Sequence, residues 1–144
     1  RFVTLQNRHS VLHREPEAEV LPACARHGVG FLPFFPLENG LLTGKYRKGE
    51  TPDENTRLGA MQHFADMALT EENFAIVEEL ETFTANQGRT LLELAFSWLI
   101  ANPDIPTVIA GATRPDQIES NVKSASWALS GDDLAEIDRI TQRQ

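Results

Sequence analysis

The sequence predicts an α/β protein with parallel strands. Three short apolar runs, at 2–5, 29–35 and 106–110, have the length and composition of buried strands. Segments with helical periodicity separate them, in the order strand, helix, strand, long loop, helix, helix, strand, helix, helix. This alternation is typical of parallel α/β folds. The chain has 144 residues, about the size of one domain, and we treat 1–144 as a single unit.

The first half of the chain predicts a strand, a helix and a second strand. Residues 2–5 form the first strand, which leads into Gln6 and Asn7. Pro16 suits a first helical position, and the stripe of Val20, Leu21 and Cys24 predicts the buried face of a helix. Gly28 follows the stripe, where a left-handed glycine would end that helix.

A long segment without clear periodicity follows the second strand. Residues 36–68 contain two prolines and four glycines (Pro36, Pro52, Gly40, Gly44, Gly49 and Gly59), and we predict a loop there. A loop of this length inside a compact domain is usually functional or mobile.

Three helix starts are visible in the second half. Thr70 caps a helix whose first turn is acidic, and Thr90-x-x-Glu93 is a capping box before an apolar stripe. Ser130-x-x-Asp133 opens the last helix in the same way. The apolar positions that we expect to face the core are Phe74, Val77, Leu80, Phe83, Leu94, Ala95, Trp98, Leu99, Leu134, Ile137 and Ile140.

The segment 105–121 predicts an anion site. The third apolar run ends at Gly111-Ala112, and Thr113-Arg114-Pro115 opens a helix. Arg114, Gln117 and Asn121 have the spacing of one helical face, and Ile118, Val122 and Ala125 that of the opposite, inward face. Free N–H groups and a partial positive charge at a helix start favour an anion, and a phosphate is the ligand we expect.

Composition excludes several classes of protein. The net charge is −8, from 13 basic and 21 acidic residues, which argues against nucleic acid as a partner. No apolar run is long enough for a membrane span, and the first ten residues do not have the pattern of a signal peptide. Cys24, the single cysteine, fits a reducing, cytoplasmic compartment and reads as a core residue. The four histidines show no metal spacing, so we expect no metal.

The end of the second strand offers two further candidates, each with a purely structural alternative. Phe34 could stack on a flat ring or simply belong to the core. The run from Gly40 to Lys45 is not a P-loop, because its spacing is GxxxGK and Tyr46 stands where Ser or Thr is required. Gly-rich backbone with one lysine could still wrap a pyrophosphate, or be an exposed turn.

Three strands leave two architectures open. The chain could form a small open α/β sheet, or it could be the last part of a longer (β/α) barrel. The first strand begins abruptly at residue 1, and on that ground we expect a piece of a larger barrel.

Several motifs together resemble one family. LQNRHSVLHR, FLPFFPLENGLLTGKY and IAGATRPDQIESNV, in this order, are similar to aldo/keto reductases, and so is TLLELAFSWLIANPDIP. The resemblance covers essentially residues 1–140. It implies a (β/α)8 TIM barrel, of which this chain would supply the last three strands and their helices and would be incomplete on its own. It also implies a cytoplasmic, NADP-dependent oxidoreductase that reduces aldehydes or ketones to alcohols by hydride transfer.

The resemblance also implies roles for individual residues. Gln6 would bond the nicotinamide carboxamide, and Phe34, where Tyr is usual, would stack under the nicotinamide ring. A segment with Lys45 as its charge partner would fold over the pyrophosphate, and Arg57 would reach the cofactor from the long loop. A later segment would grip the adenosine 2′-phosphate end. The residues in these two segments are Pro36, Leu37, Gly40, Leu42 and Lys45, followed by Gly111, Thr113, Arg114, Gln117 and Asn121.

This sequence departs from the family pattern in places. Ser120 stands where many relatives carry the Glu that bonds adenine, and His9 stands where Tyr is frequent. The family's catalytic Asp, Tyr, Lys and His come from earlier strands, and Tyr46 is the only tyrosine here. We therefore predict no catalytic residue in this chain, which alone would be inactive.

Three hypotheses follow. The chain could be the cofactor-binding part of a reductase, with the N-terminal barrel half in the same or a partner chain and a small carbonyl compound as substrate. It could be part of a non-catalytic NADP(H)-binding regulatory subunit. It could also be an inactive half-barrel fragment whose edges pair with another copy. The catalytic residues that would distinguish these hypotheses are not in this sequence.

Overall fold

The computed structural model of the protein describes residues 1–142. Its two strands are β1 (Thr4–Arg8) and β2 (Gly30–Phe34), and short 3₁₀ helices span Glu15–Glu17 and Glu38–Thr43. The α-helices are α1 (Val20–His27), α2 (Arg57–Ala60), α3 (Gln62–Ala68), α4 (Glu71–Asn86), α5 (Leu91–Ile100), α6 (Pro115–Ser124) and α7 (Gly131–Thr141).

The sheet is parallel, as predicted, but smaller. β1 and β2 pair along their full length, from Thr4 opposite Gly30 to Arg8 opposite Phe34. The predicted third strand at 106–110 is reduced to one parallel bridge, in which the N–H of Ile109 donates to the Pro33 carbonyl at 2.9 Å. A segment that has a partner on one side only, and that begins with a proline lacking an N–H, can make few ladder bonds.

The core lies on one side of this sheet, between it and the helices. Phe31 of β2 is fully buried together with leucines and isoleucines from four helices and the 38–43 turn. The predicted stripes of α4, α5 and α7 are confirmed: their members are buried or packed against the core. Cys24 is also buried and free, as expected for a core residue.

The predicted helix boundaries are confirmed where a cap marks them. The Thr70 hydroxyl accepts from the Asn73 N–H at 3.1 Å, and Thr90 with Glu93 forms a complete capping box. Ser130 and Asp133 form another. Gly28 follows α1 with φ +61°, the left-handed conformation that glycine adopts at low cost.

The segment predicted as a loop at 36–68 contains helical structure. It holds the 3₁₀ helix Glu38–Thr43 and the short helices α2 and α3. Leu41, Leu42 and Leu58 from this segment are buried in the core. Helices of four and seven residues are too short to show a readable periodicity, so tertiary packing decides their formation.

Helix α6 differs from its prediction. Ile118 and Val122, which we expected to face inward, are 57% and 71% exposed. Ala125, the third member of that face, is half-buried just after the helix. The apolar stripe is therefore real in the sequence, but nothing in residues 1–142 covers most of it.

Candidate functional site

The parallel register brings the predicted site segments to one edge of the sheet. β1 ends at Arg8 and β2 ends at Phe34, which are partners in the register, and Ile109 bridges to the same Phe34. The His9 N–H donates to the Phe34 carbonyl at 3.3 Å, which fixes the two strand ends together. Carboxyl ends of parallel strands are where α/β proteins place their ligands.

Phe34 is neither core nor fully exposed. Phe31 and Pro33 are buried, whereas Leu32 and Phe34 are half-buried, as expected when successive side chains point to opposite faces of a strand. The Phe34 ring packs edge-to-face against Phe35, with 5.2 Å between centroids. Part of the Phe34 side chain thus remains accessible at the strand end. Gln6 lies on the neighbouring strand, exposed, opposite Leu32.

The turn after β2 has an unusual backbone. Phe35, Glu38 and Asn39 have φ values of 56°, 45° and 56°, and Gly40 has φ +100°. Left-handed non-glycine residues cost free energy and are held in place only by their surroundings. Among residues 1–142, the Asn39 Oδ1 atom is the one buried side-chain oxygen or nitrogen without a hydrogen-bond partner.

The predicted pyrophosphate segment is divided between core and surface. Pro36 and Leu42 are buried and Leu37 is half-buried, so they could touch a ligand mainly through their backbone. Lys45 is exposed, and its ammonium lies 5.1 Å from the centre of the Tyr46 ring. A Cβ atom at Gly40 would lie 3.0 Å from Lys45 Cε, so the lysine side chain lies across the glycine.

Arg57 is held by aromatic rings rather than by an acid. Its guanidinium carbon lies 5.2 Å from the ring centres of both Phe35 and Phe64. Within residues 1–142, no carboxylate lies within 4.0 Å of the Arg57 or Lys45 nitrogens, whereas most other basic side chains have such a partner. These two cations are therefore available to an anion near the turn.

The predicted phosphate segment forms an exposed turn and helix start. Arg114 has φ −140° and precedes α6. The prediction that it shares a helical face with Gln117 and Asn121 is therefore wrong. The Gln117 side-chain oxygen accepts from the Thr113 N–H at 2.7 Å and from the Arg114 N–H at 3.2 Å. Gln117 thereby fixes the turn that presents Arg114. Gly111 has no atom within 4 Å of where a Cβ would lie.

Arg114 has a carboxylate partner in this structure. Its Nε and Nη2 each donate to Asp116 at 3.0 Å, and both side chains are exposed. The Arg114 guanidinium, through these hydrogen bonds, holds the pKa of Asp116 below its usual value. An incoming phosphate would have to compete with this carboxylate.

Glu38, which also lies at this edge, is not among the residues predicted from the sequence. Its carboxylate is buried and accepts hydrogen bonds from Arg8 and from the Ser10 hydroxyl. An acidic residue between Leu37 and the Leu41-Leu42 pair was the only signal available. No sequence pattern indicates its partners, Ser10 and Arg8, which lie 28 and 30 residues away.

Two ring side chains near this edge, Tyr46 and His9, already have partners within residues 1–142. The Tyr46 hydroxyl oxygen is buried and accepts from the Leu58 N–H at 3.3 Å, which is a structural role. His9 is buried against Phe31 and Trp98, its Nδ1 lies 3.1 Å from the His13 carbonyl, and burial lowers its pKa. No group of three potential metal ligands occurs within residues 1–142. In the same residues no helix is long and apolar enough to cross a membrane.

Comparison with known proteins gives matches over nearly the whole chain. The model of the aldo/keto reductase family matches residues 1–142. A probable voltage-gated potassium channel subunit beta of Arabidopsis thaliana is 38% identical over 118 residues, 81% of this chain and 34% of the relative.

Two Escherichia coli K12 reductases are also similar. L-glyceraldehyde 3-phosphate reductase is 30% identical over 138 residues, 93% of this chain and 40% of the relative. NADH-specific methylglyoxal reductase is 30% identical over 129 residues, 90% of this chain and 39% of the relative. The chain thus spans between 34% and 40% of the length of these three curated relatives.

Proposed function

Because the chain belongs to the aldo/keto reductase family, we propose that it is the C-terminal, NADP(H)-binding part of an enzyme that reduces aldehydes or ketones to alcohols. It would contribute the last three strands of a (β/α)8 barrel. The proposal rests mainly on one observation: three segments lie together at one edge of the sheet. They are the end of β1, the turn after β2 and the segment after Ile109.

The residues at this edge fit an extended dinucleotide. Phe34 offers an accessible aromatic side chain for a flat ring, and the exposed Gln6 amide can bond a carboxamide. Lys45 and Arg57 have no carboxylate partner within the described chain and can hold the pyrophosphate.

The far end of the cofactor would lie on the turn before α6. Thr113 and Arg114 would contact the 2′-phosphate, with Gln117 holding their backbone in place. Asn121 lies one turn further along α6, and Gly111 leaves open space beside the turn. When bound, the nicotinamide supplies the hydride for carbonyl reduction. The chain's own residues would bind and orient it, and the proton would come from residues outside this chain.

The remaining part of a barrel would cover two unpaired edges. Within residues 1–142, β1 has no partner strand on its outer side, where Phe2 and Val3 are 87% and 70% exposed. A largely apolar groove of about 760 Å³ lies between β1 and α1. At the opposite side, Ile109 and the exposed face of α6 are also uncovered. We propose that an N-terminal barrel half, in the same or a partner chain, packs against both edges.

Cofactor preference tests the proposal. In the full-length protein that carries this chain, we expect NADPH to bind more tightly than NADH, because Arg114 contacts the 2′-phosphate. Arg114→Gln should lower NADPH affinity roughly ten- to a hundredfold and leave NADH affinity unchanged. Titration followed by nicotinamide fluorescence measures both constants.

A matched control is Arg139→Gln, which breaks a similar exposed ion pair, with Glu136 on α7. It should change neither affinity. Equal wild-type affinities for NADPH and NADH would contradict the 2′-phosphate assignment. The NADH-specific relative shows why the test is needed.

A second function is suggested by one comparison. The Arabidopsis relative is described as a probable potassium channel subunit beta, so a regulatory subunit that binds NADP(H) without turnover is the alternative. Steady-state assays with NADPH and small aldehydes distinguish the two. Turnover supports the reductase, whereas cofactor binding without turnover supports the regulatory subunit. An inactive fragment would show neither binding nor turnover.

A further inference from the structure

We propose that Glu38 is a positioning residue for the cofactor: its buried carboxylate fastens the turn after β2 to the end of β1. This inference rests on the proposed NADP(H) site and adds a residue to it. Glu38 would not touch the cofactor. It would act by fixing the backbone on which Asn39, Gly40 and Lys45 are placed.

The carboxylate is buried and fully engaged. The Glu38 side chain is 2% exposed, and that of its partner Arg8 is 24% exposed. Arg8 donates to both Glu38 oxygens through Nη2 and Nε, and the Ser10 hydroxyl donates to Oε1 at 2.6 Å. Ser10 in turn accepts from the N–H groups of Leu12 and His13. A charged group removed from water this far is stable only with such partners.

The bonds of Glu38 hold a backbone that is unfavourable by itself. Glu38 and Asn39 both adopt left-handed φ values, and Gly40 follows with φ +100°. Without an anchor, two adjacent non-glycine residues would relax toward commoner conformations. The ion pair with Arg8 supplies the anchor from a separate strand, so the turn keeps a fixed position relative to β1.

This backbone determines where Lys45 lies. The Lys45 side chain crosses Gly40, with Cε and Nζ 3.0 and 3.1 Å from the point that a Cβ would occupy. A change in the Glu38–Gly40 backbone would therefore displace the ammonium that we assign to the pyrophosphate. The turn before α6 is hydrogen-bonded within itself through Gln117, and within residues 1–142 no hydrogen bond joins this turn to Glu38.

Because the turn before α6 is not bonded to Glu38, a change at Glu38 should affect the pyrophosphate contact and not the 2′-phosphate contact. In the full-length protein, Glu38→Gln keeps the shape but removes the charge that binds Arg8. We expect it to weaken NADPH binding about tenfold and to leave binding of adenosine 2′-monophosphate, which lacks pyrophosphate and nicotinamide, within about twofold. Isothermal titration measures both ligands. Glu136→Gln, which removes an exposed, ion-paired carboxylate on α7, should change neither.

A second variant guards against loss of folding. Arg8→Lys keeps the positive charge but cannot bond both carboxylate oxygens as a guanidinium does. We expect Arg8→Lys to weaken NADPH binding about threefold and to leave binding of adenosine 2′-monophosphate unchanged. Unchanged NADPH binding in both variants would overturn the inference, and so would an equal loss for both ligands, which is the result of general unfolding. If the wild type binds neither ligand, the proposed function fails and this inference falls with it.

Discussion

At the scale of single residues, Arg114 forms an exposed ion pair with Asp116 at the proposed 2′-phosphate site. The guanidinium that we assign to the 2′-phosphate donates two hydrogen bonds to Asp116, two residues away. Exposed ion pairs are weak because water screens them, so Asp116 would compete with a phosphate without excluding it. Its negative charge would also repel the phosphate. Asp116 should therefore lower NADPH affinity modestly.

Asp116→Asn tests this competition. In the full-length protein we expect NADPH to bind about two- to fivefold more tightly, with NADH unchanged, because the phosphate no longer competes with a carboxylate. Asp132→Asn is the matched control, since Asp132 is the second residue of α7 as Asp116 is of α6. Weaker NADPH binding in Asp116→Asn would show that Asp116 supports the site rather than competing for it.

Single residues also show the limit of sequence reasoning. The core assignments of Cys24 and of the apolar stripes on α4, α5 and α7 are confirmed, because burial follows from hydrophobicity and spacing. Glu38 was not found, because a carboxylate reads as solvent-exposed until its partners are known. Its cofactor role, like that of the other candidate residues, stays a prediction.

At the scale of elements, helix starts were the most predictable feature. A capping box uses residues three positions apart, so the sequence contains all of it. The 90–93 and 130–133 boxes are both present in the structure. The 36–68 segment was harder, since its helices are short and its first turn depends on Arg8, far away in sequence.

The cap of α5 can be tested by Thr90→Ala. The Thr90 hydroxyl accepts from the Glu93 N–H at 3.2 Å, and α5 carries Leu94 and Leu99 into the core. Loss of this cap should destabilise the full-length protein by about 1 kcal/mol. The midpoint of urea unfolding should fall accordingly.

Thr82→Ala provides the control for this measurement. Thr82 is exposed in the middle of α4, and its hydroxyl bonds the Glu78 carbonyl of its own helix. Alanine is a better helix former, so this change should leave stability equal or slightly higher. Equal midpoints for Thr90→Ala and wild type would show that the cap contributes nothing measurable.

At the scale of the whole molecule, the uncovered apolar surface is the main feature. Phe2 and Val3 lie beside an unpaired strand edge, and Ile118 and Val122 lie on α6. Contiguous exposed apolar patches and free strand edges mark surfaces that normally have a partner. They agree with a chain that spans 34–40% of the relatives compared above.

The isolated 144-residue chain should therefore associate. We expect it to bind the dye ANS through its exposed apolar surface. In light scattering we expect the molar mass of a dimer or a larger species, because association would bury that surface. Val122→Lys together with Val3→Lys should reduce both effects, whereas Lys at the already polar Ser126 should not. A monomer without ANS fluorescence would mean that the chain closes its own edges in solution.

The sequence by itself determined what depends on near neighbours: the alternation of strands and helices, the caps, the buried stripes and the family. Only the tertiary structure decided what depends on distant residues. It reduced the third strand to the Ile109 bridge, left the α6 stripe uncovered, and joined Glu38 to Arg8. The physical reason is that periodicity and capping are local, whereas ladder bonds, burial and ion pairs need a partner that the fold must bring.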